Sequence, residues 1–333
     1  MCVLTIAVPI FNMEWCLEKN LATYDDPRLI GRVEVLCLNN ASEDGSKAII
    51  EKEVSARPEI FRLMDRDSRG YGSSINAALA AAKGRYFRIV DADDWVDTEE
   101  LVKQADALET CEADVMLTDY RIVDMSTGTE TPVRAGDKGA PYGEVLTDCR
   151  WPGITLPSIH NITYRTGLLR ECGFEMPDQR FFVDEQYVIL PYLRARSVIY
   201  CPYDIYRYQV ANPEQSTSPK NRAKYLVHRE ENLKDILGEV ARVSREDPKN
   251  TALSYCRERL LRGIGDHFTT LAIYVEDRKK GRSLAKAWEA YIRGTMPDYW
   301  PEVKTKARIL YAMNALHLSL PLYNRLKKAV LKK

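Results

Sequence analysis

No stretch of this chain approaches the ~20 consecutive apolar residues of a membrane span. No C-x-x-C pair occurs either. The eight cysteines (Cys2, Cys16, Cys37, Cys111, Cys149, Cys172, Cys201, Cys256) are scattered, so they read as reduced, mostly buried thiols rather than a disulfide framework or a zinc site. The N-terminus lacks the basic and long apolar regions of a signal peptide, which with the thiols predicts a cytoplasmic protein. There is no net charge: Lys+Arg and Asp+Glu both total 48, and nothing global points to nucleic acid. No G-x-G-x-x-G follows the first apolar run, which argues against a dinucleotide-binding dehydrogenase. The same segment, Pro9-Ile10-Phe11-Asn12-Met13-Glu14, has neither glycine nor Lys/Arg, so it lacks the basic glycine-rich loop expected of a nucleotidyltransferase.

What is present suits a soluble α/β protein of 333 residues, 45% hydrophobic and 29% charged. Apolar runs at Leu4 to Ile10, 33–38, a weaker one at 59–64, and 86–90 alternate with helical patterns at 14–24, from Asp44-Gly45-Ser46 onward, and at 73–82. That alternation predicts a mostly parallel sheet covered on both faces. A strand at 115–123, a hairpin or loop at 126–143, a helix from Asp184 to near Arg194 and a strand within 197–208 follow. After Pro219 the pattern becomes long amphipathic helices, near 220–243, 251–276, 283–293 and 302–318. The expected division is a domain over 1–218 and a helical C-terminal region over 219–333.

Ile-Val-Asp-Ala-Asp-Asp-Trp-Val, at 89–96, is an apolar strand that stops at three acids, Asp91, Asp93 and Asp94. Clustered carboxylates repel one another, and a bound cation relieves that cost. Hard oxygen ligands suit Mg²⁺ or Mn²⁺ alongside substrate phosphates. Position adds weight, because open α/β sheets bind ligands at the carboxyl ends of their strands. A surface turn is the plain alternative, and Asp65-Arg66-Asp67 repeats the spacing.

Four segments together resemble the family 2 glycosyltransferases, inverting sugar transferases with the GT-A (nucleotide-diphospho-sugar transferase) fold; the resemblance covers about residues 3–217. They are Thr5-Ile6-Ala7-Val8-Pro9-Ile10-Phe11-Asn12, then Cys37 through Ser46 with Asn39-Asn40-Ala41-Ser42-Glu43-Asp44-Gly45, then Arg69-Gly70-Tyr71-Gly72-Ser73-Ser74-Ile75-Asn76, and the acidic strand end. The resemblance implies that Pro9, Phe11 and Asn12 lie beside the nucleotide base. It puts Asn40 where the family commonly has an Asp against uracil; an amide offers both an acceptor and donors to a base edge. Gly70, Tyr71 and Asn76 belong to a glycine turn that opens a helix, a place suited to phosphate, with Arg69 available to neutralise charge. Asp93 is implied as metal ligand, Asp91 with Ala92 as ribose or metal-water contact, and Asp94 as their support or a further ligand.

By the same resemblance, Phe182-Val183-Asp184-Glu185-Gln186-Tyr187 carries the catalytic base, Asp184 first and Glu185 as the alternative. Arg207, in Tyr206-Arg207-Tyr208, and Gln215-Ser216 resemble a segment that closes over the donor diphosphate. His160 falls on the expected acceptor side, and Trp95, Trp151 and Tyr187 are available to stack on sugars or fill core. The implied partners are a UDP-sugar and a saccharide or lipid-linked acceptor. The tail suits the latter: from Pro301 to Lys333 eight Lys/Arg face Glu302 alone, and Ile309, Leu310, Met313, Leu316, Leu320 and Leu322 precede Arg325, Lys327, Lys328, Lys332 and Lys333. Such an end either packs as a frayed basic helix or rests peripherally on an anionic membrane.

Overall fold

The computed structural model describes residues 1–67, 70–136, 141–147, 158–210 and 224–319, together with 321 and 325. The chain divides into two compact units, Met1–Asn212 and Pro213–Lys333.

The first unit is built on ten strands: β1 (Leu4–Ile10), β2 (Val33–Asn40), β3 (Phe61–Arg66), β4 (Tyr86–Ile89), β5 (Trp95–Val96), β6 (Val115–Asp124), β7 (Thr129–Val133), β8 (Val145–Leu146), β9 (Ile162–Arg165) and β10 (Val198–Val210). Their order across the sheet is β3-β2-β1-β4-β9-β6-β10-β5, with β7 beside β6 and β8 beside β10. β1 and β2 are buried along their whole length, so both read as continuous apolar runs rather than alternating ones. Six strands run one way, as the alternation of strand and helix predicts. β5, β7, β8 and β9 run the other way, and β9 is wedged antiparallel between β4 and β6. Pro9, which has no N–H to donate, lies beyond the last β1–β4 pair, Ala7 with Ile89, where no partner strand needs that donor.

Helices α1 (Glu14–Ala22), α2 (Ser46–Ala56), α3 (Tyr71–Ala81), α4 (Thr98–Thr110), α5 (Thr166–Glu171) and α6 (Asp184–Ile189) connect these strands. The carboxyl ends of β1, β2 and β4 therefore open at one edge of the sheet, followed by α1, α2 and the acidic turn. Asp97 caps α4 by accepting from Glu100 N at 3.1 Å, which fixes where the chain leaves β5.

The second unit holds α7 (Leu226–Glu246), α8 (Ala252–Thr269), α9 (Arg278–Thr295) and α10 (Trp300–Ala315). Leu233, Ile236, Leu237, Val240 and Val243 form one buried face, and Cys256, Leu260, Ile264 and Phe268 another. This spacing of three and four is what buries one stripe of a helix. α8 ends in a π turn, Thr270–Tyr274, and Asp277 caps α9 through the backbone N–H of Lys279 and Lys280. Among the described residues no helix is long and apolar enough to cross a membrane.

Candidate active site

The acidic turn follows β4 directly. Asp94 N donates to Asp91 O at 3.1 Å, closing a four-residue turn that brings the first and last acids together. Buried Asn20 of α1 locks that turn, its Nδ2 donating to Asp91 O at 3.2 Å and Asp94 O at 2.8 Å. Asp94 is then tied to β10: Tyr206 donates its hydroxyl to Oδ2 at 2.5 Å and Gln209 N donates to Oδ1 at 2.7 Å. The Tyr206 oxygen also accepts from Asp91 N at 3.2 Å, while Tyr71 donates to Asp91 Oδ1 at 2.9 Å.

This packing shifts the acids in one direction. Burial, then the neighbouring charge of Asp93, raises Asp91 to about 7; the Tyr71 hydrogen bond offsets part of this and Asp184 adds to it. Burial likewise lifts Asp93 and pushes Asp94 well above the ordinary carboxylate range, where Asp93 and Asp91 contribute further. A cation would relieve all three. Ligand atoms of Asp91, Asp94 and His160 all lie within 4.8 Å of one another, a set of hard oxygens and one imidazole that fits a divalent ion. Asp93 is outside that grouping: the turn that pairs Asp91 with Asp94 leaves Asp93 at its corner. Asp93, expected from the sequence as the first ligand, adds its charge to the upward shifts of Asp91 and Asp94.

His160 and three tyrosines form the adjoining wall. The imidazole stacks on Tyr208 with centroids 4.0 Å apart and lies against Tyr206 at 4.9 Å and Tyr120 at 5.3 Å. Burial raises Tyr208 to about 12, and Asp94, Asp91, Asp93 and Asp184 all add to the shift. Four acids therefore bear on one phenol. Asp184 opens α6, and its charge also bears on Asp91 and Tyr71. The loop before α6 holds Gln179 at φ 55° and Phe182 at φ 63°, left-handed conformations that cost non-glycine residues free energy and cluster near functional sites.

On the other side of the turn, the loops after β1 and β2 are laced together. Asn12, at φ 54°, accepts from Glu43 N at 2.8 Å and donates its own N–H to Ser42 Oγ at 3.2 Å. Met13 N donates to Ser46 Oγ at 2.8 Å and Glu14 N to Asp44 Oδ2 at 3.0 Å. Pro9 and Asn40 are buried at the ends of their strands, Phe11 is part-buried beside them, and buried Ala92 accepts from the Cys16 thiol at 3.4 Å. Asn40 accepts from Ser74 Oγ, and Asn39 donates to Asp65, which pairs with Lys47 at 2.5 Å.

Three of the expected site residues are engaged within the fold. A Cβ on Gly70 would meet Asp178 Oδ1 at 1.6 Å, and one on Gly72 would meet Pro177 O at 2.0 Å. Those glycines admit a neighbouring loop, and Asp178 itself accepts from Ser73 N at 3.4 Å. Asn76 spends its amide on the same loop, donating to Met176 O at 2.9 Å and accepting from Met176 N at 2.8 Å. Arg207 follows Tyr206 on β10, so strand alternation turns it away from the acids. Its guanidinium pairs with Asp97 at 3.0 Å and Asp204 at 3.1 Å. Arg69, Trp151, Gln215, Ser216, Leu320, Leu322, Lys327, Lys328, Lys332 and Lys333 lie outside the described residues. Asn20 and Gln209, which help hold the turn, carry no motif signal; Tyr206 stands in the Tyr206-Arg207-Tyr208 segment, with nothing in the sequence to tie it to Asp94.

The sequence profile of glycosyl transferase family 2 matches residues 5–173, half of the chain. This chain belongs to glycosyl transferase family 2. Among its relatives, TarS of Staphylococcus aureus, a poly(ribitol-phosphate) beta-N-acetylglucosaminyltransferase, is 25% identical over 198 residues, covering 58% of this chain and 33% of TarS. EpsH of Bacillus subtilis is 22% identical over 217 residues, covering 62% of this chain and 60% of EpsH. The chain thus spans less than two thirds of either relative. The crystal structure of TarS residues 1–349 with UDP-GlcNAc aligns over 95% of this chain and 92% of that one, with a TM-score of 0.57 and 18% identity. That likeness establishes the GT-A fold for this family 2 member, with its helical C-terminal region included in the aligned length.

Proposed function

We propose that this family 2 glycosyltransferase transfers a sugar from a UDP-sugar to an acceptor hydroxyl with inversion, in a metal-dependent reaction. One observation carries the reading: Asp91, Asp94 and His160 converge as a candidate ligand set, and the charge of Asp184 bears on Asp91. A bound Mn²⁺ or Mg²⁺ supplies charge neutralisation for the departing diphosphate. The residues of the chain do the rest. Asn12 and Asn40, with Pro9, Phe11 and Ala92 around them, border the pocket for the uracil nucleotide. Asp184 takes the proton from the acceptor hydroxyl as that oxygen bonds to the anomeric carbon. The bond from that carbon to the diphosphate breaks on the opposite face, so UDP leaves and the configuration inverts. Asp184 is taken as the base because its charge bears on Asp91 and on Tyr208, with Glu185 as the alternative.

TarS was solved with UDP-GlcNAc, which supports a UDP-sugar donor. The name of TarS gives a poly(ribitol-phosphate) as its acceptor, which supports a hydroxyl-bearing acceptor here. A saccharide or lipid-linked acceptor in cell-surface polysaccharide or glycolipid assembly is the reading proposed from the sequence, with the basic C-terminal end suited to peripheral contact with an anionic membrane. The deciding experiment titrates UDP into the protein calorimetrically, with Mn²⁺ and then with EDTA, using GDP as control. Metal-dependent, UDP-selective binding that is lost in Asp91→Asn and kept in Asp184→Asn is the expected result. Metal-independent binding would overturn the role of the acids, and tighter GDP binding would overturn the uracil reading.

A further inference from the structure

Arg88 stands on β4, three residues before Asp91, and is fully buried. Taking a guanidinium out of water costs several kcal/mol, and among the described residues no carboxylate pairs with it. Its donors go to neutral groups instead. Nη2 donates to the carbonyl of His160, and Nη1 donates to Thr118 Oγ1 at 3.3 Å and Thr163 Oγ1 at 3.4 Å. The guanidinium also lies 5.7 Å from the centre of the Tyr206 ring. Three of these four neighbours, His160, Thr163 and Tyr206, belong to the wall of the acidic site or to β9, which leads from it. The cation therefore serves geometry, since a well-packed apolar residue would spare the desolvation cost.

His160 is held from its ring side as well. Ser158 Oγ lies 3.2 Å from Nδ1, and Tyr208 stacks on the ring face. In the tautomer whose Nδ1–H donates to Ser158, Nε2 is the acceptor nitrogen of the imidazole. We propose that Arg88 is a positioning residue that fixes His160 as an imidazole ligand of the metal site, and that this ligand makes the site favour Mn²⁺ over Mg²⁺. The inference rests on the metal dependence proposed above. Its chemistry is ligand softness: an imidazole suits first-row transition ions, whereas Mg²⁺ prefers oxygen donors and keeps several waters. Outer-shell partners that orient a ligating histidine are worth about 10–100-fold in metal affinity.

The test titrates Mn²⁺ and Mg²⁺ into EDTA-stripped full-length protein with UDP present, reading Mn²⁺ by electron paramagnetic resonance and Mg²⁺ by competition. His160→Asn is expected to weaken Mn²⁺ by at least about 10-fold while leaving Mg²⁺ little changed. Arg88→Lys keeps the charge but loses the fork of donors, so it should reproduce most of the Mn²⁺ loss in a protein that is still folded by circular dichroism. Spin-echo spectra of the wild-type Mn²⁺ complex should carry ¹⁴N modulation from a coordinated imidazole, absent in His160→Asn. No ¹⁴N modulation in the wild type, or an unchanged Mn²⁺ to Mg²⁺ ratio in His160→Asn, overturns the inference and leaves the metal reading intact. Wild-type protein that binds neither ion overturns that reading and the inference with it. Where Arg88→Lys does not fold, Thr118→Val tests the same clamp, and a folded variant of either kind with wild-type Mn²⁺ affinity overturns the positioning role.

Discussion

Asp91 in the first unit and Glu230 in the second are both carboxylates at least partly withdrawn from water, and the fold treats them in opposite ways. Glu230 accepts from His267 Nε2 at 3.3 Å and pairs with Lys234 at 2.6 Å, which together hold it down to about 2. Burial keeps His267 itself below the ordinary histidine value, so it supplies a hydrogen bond while Lys234 supplies the charge. Asp91 has Asp93 and Asp184 for neighbours and a phenol for its one strong donor, and it rises to about 7. A carboxylate given its counter-charge within the fold is structural. One packed among other acids is waiting for a charge from outside, and that difference separates the site from the scaffold.

The sharpest way to test the contrast is at Asp184. Asp184→Asn should lower turnover by about 10²–10⁴-fold with UDP binding kept, measured by UDP release and by calorimetry. The equivalent isostere at Glu230, Glu230→Gln, should leave turnover at the wild-type level. Next comes Tyr206→Phe, which strips a buried donor from Asp94 and should cost about 1–3 kcal/mol of stability in urea unfolding, with metal affinity reduced alongside it.

The comparison breaks if Asp91→Asn and Glu230→Gln change stability in the same direction. In EDTA, Asp91→Asn should stabilise by about 1–2 kcal/mol, less than the full shift because water reaches part of the carboxylate. Glu230→Gln should destabilise by about 1 kcal/mol through its weakened hydrogen bonds.

The smallest effect is the dependence of the melting temperature on pH. Asp91's value is raised above the ordinary 3.8, so its contribution favours the fold at low pH and is lost as pH climbs through about 7. Glu230's is lowered from 4.5, so its contribution is present above 4.5 and lost as pH falls through about 2. Metal-free protein should therefore lose stability from about pH 4 to about pH 7 on account of Asp91, and saturating Mn²⁺ should remove that slope. A slope that survives Mn²⁺ would assign it to another group.

Much of this was legible in the residues. Continuous apolar runs at β1 and β2 announce buried parallel strands, and amphipathic spacing announces the helices of the second unit, because period alone decides which face is apolar. The acids of the turn and Asp184 were visible as chemistry in suggestive places. The chain alone also set the composition of the site: carboxylates in excess, glycines at the α3 turn, tyrosines along β10.

Tertiary structure decided which of these residues meet. Gly70 and Gly72 make room for the Asp178–Pro177 loop, Asn76 is spent on Met176, and Arg207 is claimed by Asp97 and Asp204. Nothing local could reveal that His160 joins Asp91 and Asp94, that Tyr206 reaches Asp94, or that Arg88 lies beneath both, since each pairing spans at least 66 positions (160 minus 94) and depends on β9 entering the sheet in reverse. Local sequence fixes backbone period and donor inventory; only packing between distant strands fixes distances, and ligand geometry is made of distances.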